Sequence, residues 1–168
     1  TFTAKHAWRK NTGPSVETSD VEIPVDDGHI ALRLYKPISK QPLSVVLFYH
    51  GGGFVIGDID AYDDMCRDLS HRTERIVVSV AYRLAPEHPF PCAPHDCMQA
   101  LQWTYDHIED FGGRNDMIYL AGDSAGGNLA AITALAARDK LPGLLKGQIL
   151  IYPVTDHYDS ATPSYSEN

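Results

Sequence analysis

The amino-acid sequence predicts an α/β fold: a mostly parallel β-sheet that opens with an antiparallel hairpin and carries helices on its faces. Three observations point there. Alternating apolar runs occur only near the start. Continuous β-rich apolar runs follow at 45–49, 76–81, 117–121 and 149–152, as expected of strands buried on both faces. Segments with apolar residues at helical spacing lie between them, so strand and helix alternate, and right-handed crossovers are expected.

Residues 1–19 are polar, contain Gly13-Pro14 and show no clear period; they read as loop or as the remnant of an N-terminal cap segment. The domain proper is expected over 20–168. Val21, Ile23 and Val25 alternate, as do Ile30, Leu32 and Leu34, and Asp26-Asp27-Gly28 between them is a turn signal. This predicts a hairpin with one buried face. Residues 37–42 form a connecting loop. Helices are expected over 61–72, over 96–108 (Cys97, Ala100, Leu101, Tyr105 and Ile108 at helical spacing) and from near Ser124 towards Lys140, where Leu141-Pro142-Gly143 ends the last one.

The chain has 168 residues, 43% of them hydrophobic and 21% charged, enough for one domain with a sizeable core. The formal net charge of −8, with no cluster of basic residues, argues against nucleic acid or an anionic membrane surface as partner. The apolar runs are too short to span a bilayer, and the start lacks a signal-peptide pattern. Cys66, Cys92 and Cys97 show neither a C-x-x-C nor a zinc-type spacing; they read as reduced, packed thiols, which suits the cytoplasm.

Gly122-Asp123-Ser124-Ala125-Gly126-Gly127 follows a buried strand and opens a helix. That is G-x-S-x-G in the strand–turn–helix context of a nucleophile elbow. The serine must sit on a tight turn for its hydroxyl to project from the sheet, and side chains at Gly122 and Gly126 would collide with backbone. The N–H of Ala125 and the positive end of the helix dipole face the place where negative charge would develop. The pattern by itself also suits a plain glycine-rich turn. A second motif, His50-Gly51-Gly52-Gly53-Phe54, follows the strand at 45–49. Successive glycines let main-chain N–H groups approach a carbonyl oxygen closely, as an oxyanion hole requires. A phosphate cradle would want Gly-Lys-Ser/Thr, which is absent. His50 reads as a structural residue orienting the loop, not as a base. Tyr82-Arg83-Leu84-Ala85-Pro86-Glu87-His88-Pro89-Phe90-Pro91 reads as a proline-stiffened loop in which Arg83 and Glu87 fix the geometry through an ion pair or hydrogen bonds.

With Tyr152-Pro153-Val154-Thr155-Asp156 after the last strand, these motifs resemble, in order and context, the hormone-sensitive-lipase-like branch of the α/β-hydrolase fold, the acetyl esterase and arylacetamide deacetylase type. The resemblance runs from about Val21 onward. It implies a serine carboxylesterase acting on short- to medium-chain esters, with Ser124 as nucleophile. It implies an oxyanion hole from Gly51, Gly52 and Gly53, chiefly the latter two, with Ala125, and no metal or organic cofactor. The family's catalytic acid and histidine follow later strands that have no matching position here, so the sequence reads as the N-terminal part of the fold. A second chain or a missing C-terminal segment would complete it, and the 168 residues alone are expected to be unstable or to associate. His157 with Asp156 or Asp159 is a substitute triad of low standing, since it follows the wrong strand. His88 and His95 fall in a proline-rich loop and at a helix start; His6, His29, His71 and His107 read as surface or satisfied histidines. A catalytically silent ligand-binding protein and an inactive truncation stay open as alternatives.

Overall fold

The computed structural model describes residues 16–156. They form a six-stranded sheet in the order β1-β2-β4-β3-β5-β6. The strands are β1 (Val16–Val25), β2 (Gly28–Pro37), β3 (Leu43–Tyr49), β4 (Ile76–Val80), β5 (Gly113–Asp123) and β6 (Leu145–Ile151); the helices are α1 (Asp63–Thr73), α2 (Cys92–His107) and α3 (Ala125–Lys140). β1, β2 and β4 pair antiparallel, and β4, β3, β5 and β6 run parallel. The predicted architecture is therefore the observed one.

From β3 the chain steps to β4 on one side, then returns across β3 to β5 and β6 on the other. Crossovers of one hand that run in opposite directions must lie on opposite faces. The core divides accordingly. Val45, Leu47 and Tyr49 of β3 pack with Cys97 and Leu101 of α2 and Leu129 and Ala130 of α3. Val46 and Phe48 point the other way, in one cluster with Cys66 of α1. Both faces of β3 are thus covered, which is why its sequence is continuously apolar. The reversal of direction at β3 leaves a crevice at the carboxyl ends of β3 and β5, where open α/β sheets bind ligands.

Several boundaries differ from the sequence reading. β1 begins at Val16, so residues 16–19, read as cap remnant, belong to the sheet; Thr1–Ser15 lie outside the described residues. Glu17, Thr18, Ser19 and Asp20 are exposed, and their apolar content could not announce a strand. The antiparallel ladder with β2 holds them, with Asp20 opposite Arg33 and bonded to it at 2.7 Å. β5 and β6 likewise extend back through polar residues. α2 starts a turn early, at Cys92, with Pro94 in its first turn; a proline is tolerated there because first-turn N–H groups lack intrahelical partners. α1 starts two residues late, at Asp63.

All three cysteines are free; Cys66 and Cys97 are buried, and burial pushes the Cys66 thiol up to about 12. Among the described residues β1 and β6 are the sheet edges. The β1 edge is polar. β6 leaves Ile149, Leu150 and Ile151 exposed at 50%, 36% and 38%. No helix among the described residues is long and apolar enough to cross a membrane.

Candidate active site

The two glycine-bearing motifs emerge from neighbouring strands. β3 and β5 are parallel, with Tyr49 opposite Gly122, so His50-Gly51-Gly52-Gly53 and Ser124-Ala125 leave the sheet side by side.

Ser124 stands between β5 and α3 at φ 52°, ψ −116°. A positive φ in a non-glycine residue costs about 1–3 kcal/mol and persists only where the surroundings fix it. Here they do. The Ser124 N–H donates to the Ile151 carbonyl (2.9 Å), and its own carbonyl accepts from Asn128 N and Val154 N, both at 3.1 Å. Asn128 also donates its side-chain amide to the Val154 carbonyl at 2.8 Å, fastening the segment after β6 to α3. A Cβ at Gly126 would run into the Tyr49 carbonyl, and one at Gly122 into the Gly126 backbone. The glycines on either side of Ser124 therefore let β3, β5 and α3 close together at the turn.

The glycine loop is held differently. His50 is buried and stacked on Tyr82, with ring centroids 4.4 Å apart. Its Nδ1 lies 2.7 Å from the Gly51 carbonyl, and the Tyr82 hydroxyl donates to the His50 carbonyl at 2.6 Å. Burial holds the His50 pKa below the ordinary histidine value, against the opposing pull of its bond to Gly51. His50 thus serves the loop's shape, as the sequence reading expected.

The Gly51 N–H is already engaged within the protein: it donates to Asp123 Oδ1 (2.9 Å) and to the Tyr62 hydroxyl (3.1 Å). The N–H groups of Gly52, Gly53 and Ala125 make no hydrogen bond to another described residue and stay available. Gly52 adopts φ +121°, and a Cβ there would strike the Ile56 carbonyl. Sequence reasoning missed Asp123 and Tyr62. Asp123 occupies the unspecified position of G-x-S-x-G, and Tyr62, between loop and α1, carries no motif. Burial, then the bond to Asp123, raises the Tyr62 phenol to about 12, so it stays protonated and donates.

Arg83 does not pair with Glu87. Its guanidinium binds fully buried Asp96 of α2 at 2.7 and 2.9 Å, and its backbone N–H also donates to Asp96. Buried Asp96 is shielded from water, whereas Glu87 is exposed. The pair anchors the 82–91 loop to α2. Between that loop and the site lies a cavity of ≈ 360 Å³, largely apolar, bounded by Phe54, Ala85, Ala93 and Ile132, with Gly53 and Asn128 at the elbow end. His88 also lines it, from an exposed loop position. His29, His71, His95 and His107 are exposed, and His107 stacks on Trp103. His157 and Asp159 lie outside the described residues, and Asp156 is exposed. Among the described residues no group of three or more His, Cys, Asp or Glu side chains is placed to hold a metal ion.

The profile of the α/β-hydrolase fold family matches residues 46–168. The chain belongs to that family. It is 42% identical over 163 residues to esterase LipI of Mycobacterium tuberculosis, covering 95% of this chain and 51% of the relative. It is 44% identical over 140 residues to carboxylesterase NlhH of the same species, covering 83% of this chain and 44% of the relative. The crystal structure of EstE1, a thermophilic carboxylesterase cloned from a metagenomic library, superimposes with a TM-score of 0.88 at 48% identity, covering 92% of this chain and 53% of that one. These esterases bear out the resemblance drawn from the motifs. The chain spans about half the length of the curated relatives it matches.

Proposed function

We propose that this chain is the nucleophile-bearing part of a serine carboxylesterase that hydrolyses short- to medium-chain carboxylic esters. The observation that carries the reading is the elbow itself: Ser124 at positive φ between β5 and α3, beside a glycine loop on the adjacent strand end with two N–H groups that bond to no other described residue. The esterase names of the relatives support it.

Ser124 Oγ attacks the ester carbonyl while a histidine from outside the described residues takes its proton. Negative charge collects on the carbonyl oxygen, facing the N–H groups of Gly52, Gly53 and Ala125; one such donor is worth about 3–4 kcal/mol of barrier. The bond from carbonyl carbon to alcohol oxygen breaks as the histidine returns the proton to the alcohol. An acyl group remains on Ser124, and water, activated by the same base, releases the acid. The largely apolar cavity beside Gly53 and Asn128 accepts an apolar part of the substrate. The three free thiols suit a cytoplasmic enzyme.

Intact mass before and after a fluorophosphonate probe, on the complete protein, tests the reading. The expected result is one adduct, lost in Ser124→Ala. A wild type that binds a short-chain ester yet takes no adduct would instead make this a catalytically silent ligand-binding protein.

A further inference from the structure

Resting on that reading, we infer that Asp123 and Tyr62 are positioning residues that hold the glycine loop against the elbow and so set the oxyanion donors. Gly51, Tyr62 and Asp123 share a closed set of hydrogen bonds. The Gly51 N–H donates to Asp123 Oδ1 at 2.9 Å and to the Tyr62 hydroxyl at 3.1 Å, and that hydroxyl donates to Asp123 Oδ2 at 2.9 Å. Three pieces of chain far apart in sequence meet there: the end of β3, the segment leading into α1, and the end of β5.

The latch joins the residues that directly precede the reactive ones. Asp123 is bonded through the chain to Ser124, and Gly51 to Gly52. Fixing Asp123 to Gly51 therefore fixes the elbow relative to the glycine N–H groups with one free residue or fewer on either side. The fit is close: a Cβ on Gly51 would collide with the Asp123 carboxylate. An oxyanion hole acts by preorganisation, and a donor displaced from the developing charge loses most of its worth. Among the described residues the loop's other backbone hydrogen bonds run away from the elbow. Its turn is closed on itself by Val55 N and Ile56 N donating to the Gly52 carbonyl, and the Ala85 N–H holds Phe54 from the far side.

The chemistry of the latch makes it testable without disturbing the fold. Asparagine at 123 keeps an oxygen for the Gly51 N–H and offers an N–H to the Tyr62 oxygen, so the geometry survives while the charge goes. Alanine removes the acceptor. Phenylalanine at 62 keeps the ring contacts with Phe48 and His50, at 5.8 and 5.6 Å, and removes only the hydroxyl.

The experiment measures steady-state hydrolysis of 4-nitrophenyl butyrate and the rate of fluorophosphonate labelling in the complete protein, with melting temperature as the folding check. Asp123→Ala is expected to lower kcat roughly 10- to 100-fold, at or below the ~100- to 1000-fold cost of deleting an oxyanion donor outright, with KM changed less than about twofold, as for an interaction made only in the transition state. Tyr62→Phe is expected to lower kcat by roughly 3- to 10-fold, and Asp123→Asn to restore most of the Asp123→Ala loss. If Asp123→Ala fails to fold, Tyr62→Phe and Asp123→Asn carry the test. Folded variants with unchanged kcat, a rise in KM alone, or an Asp123→Asn as impaired as Asp123→Ala would each overturn the assignment while leaving the esterase reading intact. A wild type that neither hydrolyses the ester nor takes the probe overturns the esterase reading, and this assignment with it.

Discussion

The elbow and the glycine loop leave adjacent strands at the same height, yet they are held in place by different forces. The elbow is fixed by backbone contact. Gly122 and Gly126 leave no room for a Cβ, and the main-chain groups of Ser124 are bonded to β6, α3 and the segment that follows β6. The glycine loop is fixed by side chains: His50, Tyr82, Tyr62 and Asp123 reach in from four places and hold it by hydrogen bonds and ring stacking. Steric contact is all-or-none, whereas each hydrogen bond contributes about 1 kcal/mol net. Damage to the elbow should therefore be abrupt and damage to the loop graded.

The largest expected effect lies at the elbow. Gly126→Ala drives a methyl into the Tyr49 carbonyl, with the His50 carbonyl also 2.6 Å away, and neither belongs to a side chain that can turn aside. A loss of about 3 kcal/mol or more is expected, the upper end of overpacking costs, read as a lower urea midpoint in the complete protein. An unchanged midpoint would show that β3 and α3 are not pressed together. At the loop, Tyr82→Phe removes the hydroxyl bonded to the buried His50 carbonyl and keeps the stacked ring. A loss of about 1–2 kcal/mol is expected; a loss as large as that of Gly126→Ala would erase the distinction between the two regions.

The least of these effects is a pH dependence of stability at His50. The unfolded chain protonates His50 near 6.5, and burial holds the folded value lower. The folded state thus binds this proton less tightly. Its stability is fully present above about pH 6.5 and is lost as pH falls from there towards the folded pKa. Urea unfolding at pH 7.0 and 5.5 should show wild type losing more stability than His50→Gln over that interval. Equal losses would mean that His50 accepts its proton in place, and that the loop is looser than its packing implies.

The legibility of the molecule follows the same division between local and distant causes. β3 and β4 could be read from the sequence because both faces of each are buried, which forces a run of apolar residues. The elbow could be read because strand, tight turn and helix are contiguous, and the glycines it needs adjoin the serine. His50 was legible as a loop-shaping residue for a similar reason, since its partner Gly51 is its neighbour. The first half of β1 was not legible: Glu17 to Asp20 take their conformation from the partner strand and point into water. Nor was the partner of Arg83. Glu87 is nearer in sequence, but Asp96, thirteen residues away, is brought in by α2 and kept from solvent.

By itself, then, the sequence determined the alternation of strand and helix, the hairpin turn, and the presence of Ser124 on a glycine-flanked turn before a helix, because periodicity and glycine placement act within a few residues. Only the tertiary structure decided that Gly51 is a tether while Gly52 and Gly53 bond to no other described residue, and that Asp123 and Tyr62 form that tether. It also decided that the strand order places the two loops together at the carboxyl ends of β3 and β5. Those outcomes depend on hydrogen bonds between groups as much as 72 residues apart. Such a bond is set by where the chain reverses across the sheet, and no local pattern records it.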